Sequence, residues 1–127
     1  MTNSLIYLAS PYSHPDNRIS CWGYSLVRDA VGFLFHYGYH VISPVIHCHD
    51  VSQVCNLPFS WDFWKPYCSN ILKRCDMFTV LCLEDWSDSI GVMEELTLAL
   101  SLSIPITYLL PYDLFRERRI EFKPQPD

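Results

Sequence analysis

The stretch MFTVLCLEDWSDSIGVMEELTLALSLSIPITYLL, residues 77–110, contains the pattern that decides the fold. It begins with a continuous apolar run (77–83), passes through a polar loop, continues with apolar residues at helical spacing, and ends in a second apolar run (105–110). Short apolar runs bounded by turn residues are typical of strands that are buried on both faces. The stretch is therefore predicted to form a strand, a helix and a second, parallel strand.

The same alternation extends towards the N-terminus. Residues 4–9 (SLIYLA) and 40–45 (HVISPV) predict two further buried strands. Between them a helix is predicted, with Asp16 or Asn17 as its N-cap and Gly38 at its C-terminal end.

Three other segments complete the prediction. Residues 46–60 are polar and aromatic and are predicted to form a loop. A helix is predicted from near Ser60 to about Arg74, in which Pro66 requires an early first turn, a kink or a later start. For the charged, proline-bounded tail 111–127, three structures are compatible with the sequence: a short helix, an arm on a neighbouring subunit or a frayed end. The chain is thus predicted to be one α/β domain over residues 1–127: three layers, with a parallel, Rossmann- or flavodoxin-like sheet of about four to five strands flanked by helices.

The composition argues against several classes of protein. A formal net charge of −5 does not suit binding to nucleic acid, which needs a basic surface. No basic segment precedes the first apolar run, and no apolar run reaches the roughly eighteen residues of a membrane span. We therefore expect a cytoplasmic protein with free cysteine thiols and no membrane partner.

The chemistry-bearing residues concentrate where strands are predicted to end. In parallel α/β sheets, ligands bind beyond the carboxyl ends of the strands. The segments that follow the first three predicted strands are SPYSHP, SPVIHCH and EDWSDSIG, and they are rich in Ser, His, Asp and aromatic residues. A single site at this edge of the sheet is predicted.

Two adjacent acids, Glu94 and Glu95, begin the helix that follows the third strand. At about 100° per residue, an apolar or small stripe is predicted to face the sheet; it consists of Val92, Leu96, Ala99 and Ser103. Glu94 then points to solvent and Glu95 lies on the flank of the stripe. The helix dipole favours an ionised Glu95 and burial opposes it, so the sequence gives its pKa no direction. Both acids could also serve only to complement the dipole.

Five motifs in the chain resemble the DUF1937 family, within the nucleoside 2-deoxyribosyltransferase-like superfamily. They are IYLASPYSHPD, GYHVISPVIHCHD, LPFSWDFW, CDMFTVLCLEDWSDSIGVMEE and PITYL. The superfamily has a Gly-x-x-x-Glu-Leu segment with a small residue four positions after the Glu, and Gly91, Glu95, Leu96 and Ala99 match it. The resemblance implies that Glu95 is the nucleophile that attacks the anomeric carbon of the sugar, and that Tyr7 orients it. Cys68, eight residues before Asp76, stands where these proteins usually carry an aspartate that contacts substrate.

The resemblance implies cleavage or transfer at the N-glycosidic bond of a (deoxy)nucleoside or 5′-(deoxy)nucleotide, through a glycosyl-enzyme intermediate. No cofactor or metal is expected, and a homo-oligomer, a dimer or larger, is expected. Besides the catalytic Glu95 and Tyr7, the predicted substrate-binding residues are Ser10, Tyr12, Ser13, His47, Trp61, Asp85, Trp86, Ser87, Ser89 and Gly91. Trp64 is a further candidate for stacking on the base.

Three alternatives remain open. The pair His47 and His49, with Cys48 or Cys55, has a spacing that chelates a metal on a strand. A Cys48 nucleophile activated by these histidines is disfavoured, because neighbours on an extended segment point to opposite faces. The third alternative is a non-catalytic protein that binds or sequesters a nucleotide-like ligand, which Cys68 supports.

Overall fold

The computed structural model describes residues 4–11, 17–112 and 114, with the backbone alone for 17–23. Its strands are β1 (Leu5–Ala9), β2 (His40–Ile42), β3 (Met77–Leu81) and β4 (Ile106–Leu109). Its helices are α1 (Asn17–His36), α2 (Pro44–Cys55), α3 (Trp61–Leu72) and α4 (Ile90–Ser101), and a single 3-10 turn covers Trp86–Asp88.

The four described strands form one parallel sheet in the order β2-β1-β3-β4. The start of β1 is fixed to the start of β3 by a reciprocal pair of hydrogen bonds. The Leu5 N–H donates to the Asp76 carboxylate over 2.8 Å, and the Asp76 N–H donates to the Leu5 carbonyl, also over 2.8 Å. Asp76 therefore sets the register of the two central strands, whose carboxyl ends meet at one edge of the sheet.

Alternate residues of the strands face two separate cores, which confirms the predicted three-layer α/β architecture. On one face, Ile6 and Leu8 pack against α1. On the other face, Tyr7, Phe78 and Val80 pack against α3 and α4. The two central strands, β1 and β3, bury both faces, as their continuous apolar sequences indicated, whereas the edge strands β2 and β4 are partly exposed.

The prediction of a loop over 46–60 was wrong, because most of this segment forms α2. The Ser43 hydroxyl caps the helix by accepting a hydrogen bond from the Ile46 N–H, and Pro44 occupies the first turn. Proline suits this position because its missing N–H would have had no partner there. The helix ends at Asn56, which adopts a left-handed conformation with φ of 58°. The Ser-Pro pair thus starts a helix and is not part of the strand predicted over 40–45.

The helical geometry of α2 also argues against the metal site that the spacing of His47 and His49 suggested. Residues two apart on a helix differ by about 200° in direction, so His47 and His49 do not converge as they would on a strand. The His47 ring stacks on Tyr67 with 5.4 Å between centroids, and the His49 ring lies 4.3 Å from that of Tyr24. Within the described part of the chain, no group of three or more His, Cys, Asp or Glu side chains is placed to hold a metal ion.

Helix α3 begins directly after its N-cap Ser60, as predicted, and continues through Pro66 to Leu72. Its buried side chains Cys68 and Leu72 are four residues apart and face the sheet. Among the described helices, none has the length and apolar character needed to cross a membrane.

Candidate active site

Glu95 lies in the second turn of α4, on the side that faces the sheet. The Ser89 hydroxyl caps this helix by accepting a hydrogen bond from the Val92 N–H over 3.2 Å. Glu95 is only 8% exposed, whereas Glu94 is exposed and forms an ion pair with Lys65 at 2.6 Å. The orientation predicted from helical phase is confirmed for both acids. The buried stripe is centred nearer to Glu95 than expected, because the buried residues of α4 are Val92, Glu95 and Ala99. Of the predicted stripe, Leu96 is half-buried, and Ser103 is exposed beyond the end of the helix.

The Glu95 carboxylate accepts a hydrogen bond from the Tyr7 hydroxyl. Tyr7 is fully buried in β1 and its ring stacks on Phe78, with 5.7 Å between centroids and 16° between planes. Tyr7 in β1 and Glu95 in α4 are each fixed by packing, so the Glu95 carboxylate is held in one orientation. Tyr7 therefore positions Glu95.

Burial decides the charge of Glu95, which the sequence left open. Burial raises the pKa of the Glu95 carboxyl to about 8, although the Tyr7 hydrogen bond acts in the opposite direction. The helix dipole contributes little because its influence falls off beyond the first turn. Burial, followed by the Glu95 charge, also raises the pKa of Tyr7 far above its ordinary value. At neutral pH the resting carboxyl is therefore mainly protonated.

Among the described cysteines, Cys68 and Cys48 interact with this pair. Cys68 is buried in α3, and its thiol interacts with the Tyr7 hydroxyl and with the thiol of Cys48 from α2. The hydrogen bond from Cys68 lowers the pKa of Cys48, while the same contact and burial raise the pKa of Cys68. The position that the resemblance assigns to an aspartate thus contacts the residue that positions Glu95.

Glu95, Cys48 and Cys68 line a cavity of about 360 Å³ at the carboxyl edge of β1, between α2, α3 and the start of α4. Cavities of this size accommodate small organic ligands. Its walls are largely apolar and aromatic, and they include Phe59, Trp61 and Trp64. Ser10 is buried on the same wall, and its hydroxyl has no hydrogen-bond partner among the described residues.

The predicted site residues divide into three groups. Ser10, Trp61, Ser89, Gly91 and Glu95 line the cavity, and Tyr7 contacts Glu95 from β1. Tyr12 and Ser13 lie outside the described residues.

The third group lies away from the described walls of the cavity; it consists of His47, Asp85, Trp86 and Ser87. Trp86 packs on the ring of Tyr108 at 5.7 Å. Asp85 precedes the 3-10 turn with a left-handed φ of 61°, and Ser87 is exposed on that turn. His47 is exposed on α2 and stacks on Tyr67, as described above.

Gly91 allows the close approach of α3 and α4 at the cavity. A Cβ atom at this position would lie 3.3 Å from the Trp61 ring. The Trp61 indole therefore packs against the start of α4 as well as lining the cavity. A larger residue at this position would fit only if the Trp61 ring moved by a few tenths of an ångström.

Sequence reasoning missed the wall that α2 contributes. Cys48, Ser52 and Asp88 line the cavity, and the first two lie in the segment predicted as a loop. The Ser-Pro helix start at Ser43 was the signal that would have revealed this wall. With α2 recognised, Cys48 and Ser52 fall four residues apart on one helical face.

Ser52 holds the Trp64 indole in the cavity wall. The Ser52 hydroxyl donates to the Pro58 carbonyl over 2.9 Å and accepts from the Trp64 Nε1–H over 3.1 Å. We expect Ser52→Ala to lower the free energy of unfolding by about 1–2 kcal/mol, because two hydrogen bonds of a buried hydroxyl are lost. The Trp64 Nε1–H keeps the Pro58 carbonyl, 2.8 Å away, as an acceptor. Urea denaturation of Ser52→Ala beside Ser87→Ala measures the difference. Since Ser87 is exposed, its variant is expected to remain within about 0.5 kcal/mol of the parent.

The buried carboxyl makes stability depend on pH. Between about pH 4.5 and 8 the unfolded chain has released the Glu95 proton while the folded chain retains it, so stability falls as pH rises through this window. We expect Glu95→Gln, which cannot ionise, to be more stable than the parent by about 2–4 kcal/mol near pH 8, and similar to it near pH 5. Denaturation midpoints at the two pH values measure this. An equal difference at both would contradict the raised pKa.

Comparisons with known proteins agree with this architecture. A family model described as Domain of unknown function (DUF1937) matches residues 4–109. A solved structure of a 2-deoxyribosyltransferase from the psychrotolerant bacterium Bacillus psychrosaccharolyticus matches with a TM-score of 0.58 and 22% sequence identity, over 85% of this chain and 73% of that chain. No curated protein sequence matches the chain significantly. The structural match shows a shared fold.

Proposed function

The chain belongs to the DUF1937 family, and we propose that it cleaves or transfers the N-glycosidic bond of a (deoxy)nucleoside or 5′-(deoxy)nucleotide. Glu95 is the proposed nucleophile and Tyr7 its positioning residue. The observation that carries the proposal is the buried carboxyl of Glu95, held by the Tyr7 hydroxyl and open to a cavity of about 360 Å³. The matched structure is described as a biocatalyst for the synthesis of nucleosides, which accords with this chemistry.

The proposed reaction uses the low polarity around Glu95. Departure of the base leaves positive charge on the sugar, which an adjacent carboxylate stabilises. The Glu95 carboxylate forms a bond to the anomeric carbon as the bond from that carbon to the base nitrogen breaks. Attack by water on the glycosyl-enzyme completes hydrolysis, and attack by the nitrogen of a second base completes transfer.

The walls of the cavity suit the two ends of such a substrate. The rings of Phe59, Trp61 and Trp64 offer apolar surface for a flat base. The hydroxyls of Ser10 and Ser89 and the N-terminus of α4 offer donors for the sugar or for a 5′-phosphate. This arrangement supports a small-molecule nucleoside or nucleotide as the partner.

The second candidate function is binding without turnover, and Cys68 is the observation that favours it. A thiol cannot accept hydrogen bonds from a sugar as a carboxylate does. A mainly protonated Glu95 is also a weak nucleophile until it ionises. Under this alternative the cavity retains its ligand specificity and senses or sequesters a nucleotide-like molecule.

Incubation with a panel of 2′-deoxynucleosides, ribonucleosides and their 5′-monophosphates tests the proposal. Free base is measured by chromatography, with and without a second base as acceptor, and binding is measured in parallel by thermal shift. Base release or exchange with at least one compound is expected. Stabilisation by a nucleotide with no base release over the whole panel would overturn the enzymatic proposal in favour of the binding protein.

We also propose that the protein assembles as a homo-oligomer, a dimer or larger. The outer face of α4 exposes apolar side chains, with Leu100 62% and Met93 38% accessible. Sedimentation at micromolar concentration measures the assembly, and a monomer at all concentrations would contradict it.

A further inference from the structure

Two thiols meet in the wall of the cavity, and the proposed glycosyl chemistry uses neither as a reacting group. Cys48 projects from α2 and Cys68 from α3, and both line the cavity beside Glu95. Helices α2 and α3 are in contact beside this pair, because the His47 ring of α2 stacks on Tyr67 of α3 with 5.4 Å between centroids. One turn further along α2, the Ser52 hydroxyl accepts from the Trp64 Nε1–H of α3 over 3.1 Å. The two thiols next to these contacts interact with each other. The two cysteines come from different helices, so their contact depends on the packing of α2 against α3.

The pair differs from the other described cysteines. Cys75 is buried in the core beneath α3, and burial raises its pKa to about 11. Cys55 is exposed at the end of α2, and Cys82 is half-buried after β3. At Cys48, by contrast, the neighbouring Cys68 hydrogen bond favours the thiolate, which is the form that reacts with oxidants.

We propose that Cys48 and Cys68 are a peroxide-reactive dithiol that closes to a reversible disulfide across the wall of the cavity. The Cys48 thiolate attacks the O–O bond of a hydroperoxide, which gives a sulfenic acid and releases hydroxide or alcohol. The Cys68 sulfur then attacks the Cys48 sulfur, the S–S bond forms, and the sulfenic oxygen leaves as water. The two thiols are oxidised and one peroxide is reduced; a small dithiol reverses the step by exchange.

The location gives this modification a consequence for the cavity. The bond joins α2 to α3 directly beside Glu95, and it removes the Cys68 thiol from its contact with Tyr7. The disulfide would form in the same cavity wall whether the cavity belongs to a nucleoside enzyme or to a nucleotide-binding protein.

Mass spectrometry of the full chain treated with hydrogen peroxide tests the proposal. After alkylation of the remaining thiols, we expect a loss of about 2 Da for the two thiol protons and a peptide pair that links Cys48 to Cys68. Dithiothreitol is expected to restore both thiols. A linkage to any other cysteine, or oxidation elsewhere while Cys48 and Cys68 remain alkylated, would overturn the proposal.

Three variants separate the roles of the two thiols. Cys68→Ser is expected to accumulate a Cys48 sulfenic acid, which a 1,3-dicarbonyl reagent traps, because no resolving thiol is present. Cys48→Ser is expected to give neither the disulfide nor the trapped adduct at Cys68.

Cys55→Ser is the control, because Cys55 is an exposed cysteine at the end of the same helix. This variant is expected to form the same disulfide as the parent. Equal oxidation of Cys68 in Cys48→Ser would contradict the assignment of Cys48 as the attacking thiol. Disulfide formation is measured by covalent mass and does not depend on base release. Failure of the disulfide proposal is therefore distinguishable from failure of the proposed nucleoside chemistry.

Discussion

Glu95→Gln is expected to reduce the rate of base release by roughly 1,000-fold or more, because it removes the carboxylate that would bond to the sugar. The amide keeps the shape of the side chain and an oxygen that accepts the Tyr7 hydrogen bond. The variant should therefore fold and retain the cavity. Initial rates of base release by chromatography, at saturating and at low substrate, measure the effect on kcat and on kcat/KM.

Glu94→Gln is the matched control, since it makes the same chemical change one residue away. Glu94 points to solvent and pairs with Lys65, which lowers its pKa. Its variant is expected to lose less than about twofold in rate, because an exposed ion pair contributes little. If the two variants were equally active, Glu95 would not be the nucleophile.

The fold was largely predictable because each central strand is apolar on both faces. Residues 77–83 could form little other than a covered strand between turns, and the structure places β3 there. The segment after Ser43 was not predictable in the same way. Val45 and Ile46 resume the apolar pattern of β2 directly after Ser43 and Pro44. Only the Ser-Pro capping signal therefore distinguishes a helix start from a longer strand.

The part of the candidate site that depends on a single helix was predictable from the sequence. The phase of α4 separates Glu94 from Glu95 without any tertiary information. The cavity wall is different, because Cys48, Trp64 and Cys68 meet only through the packing of α2 against α3. The charge of Glu95 also depends on that packing, since burial by surrounding elements outweighs the Tyr7 hydrogen bond in setting its pKa. From the sequence alone, both burial and hydrogen bonding can be anticipated, but the sequence does not show which of them dominates the pKa of Glu95.

Tyr7→Phe is expected to shift the pH dependence of base release to higher pH. In the parent, kcat/KM should rise about tenfold per pH unit below pH 8 and level off above it, because only ionised Glu95 attacks. The Tyr7 hydroxyl donates to the carboxylate and so lowers the pKa of Glu95. Without that donor the pKa rises further, and the ionised fraction near neutral pH falls by about 10-fold or more. Profiles of kcat/KM from about pH 6 to 10 measure the shift.

The pH profile distinguishes positioning from simple structural damage. A variant that was only unstable would lose activity by a similar factor at every pH, whereas loss of the Tyr7 donor costs most near neutrality and least where Glu95 is ionised in both proteins. Tyr108→Phe is the control, because Tyr108 is 54% exposed and packs on Trp86 away from the described cavity wall. Its profile should coincide with that of the parent. An unshifted Tyr7→Phe profile would show that the hydroxyl does not govern the ionisation of Glu95.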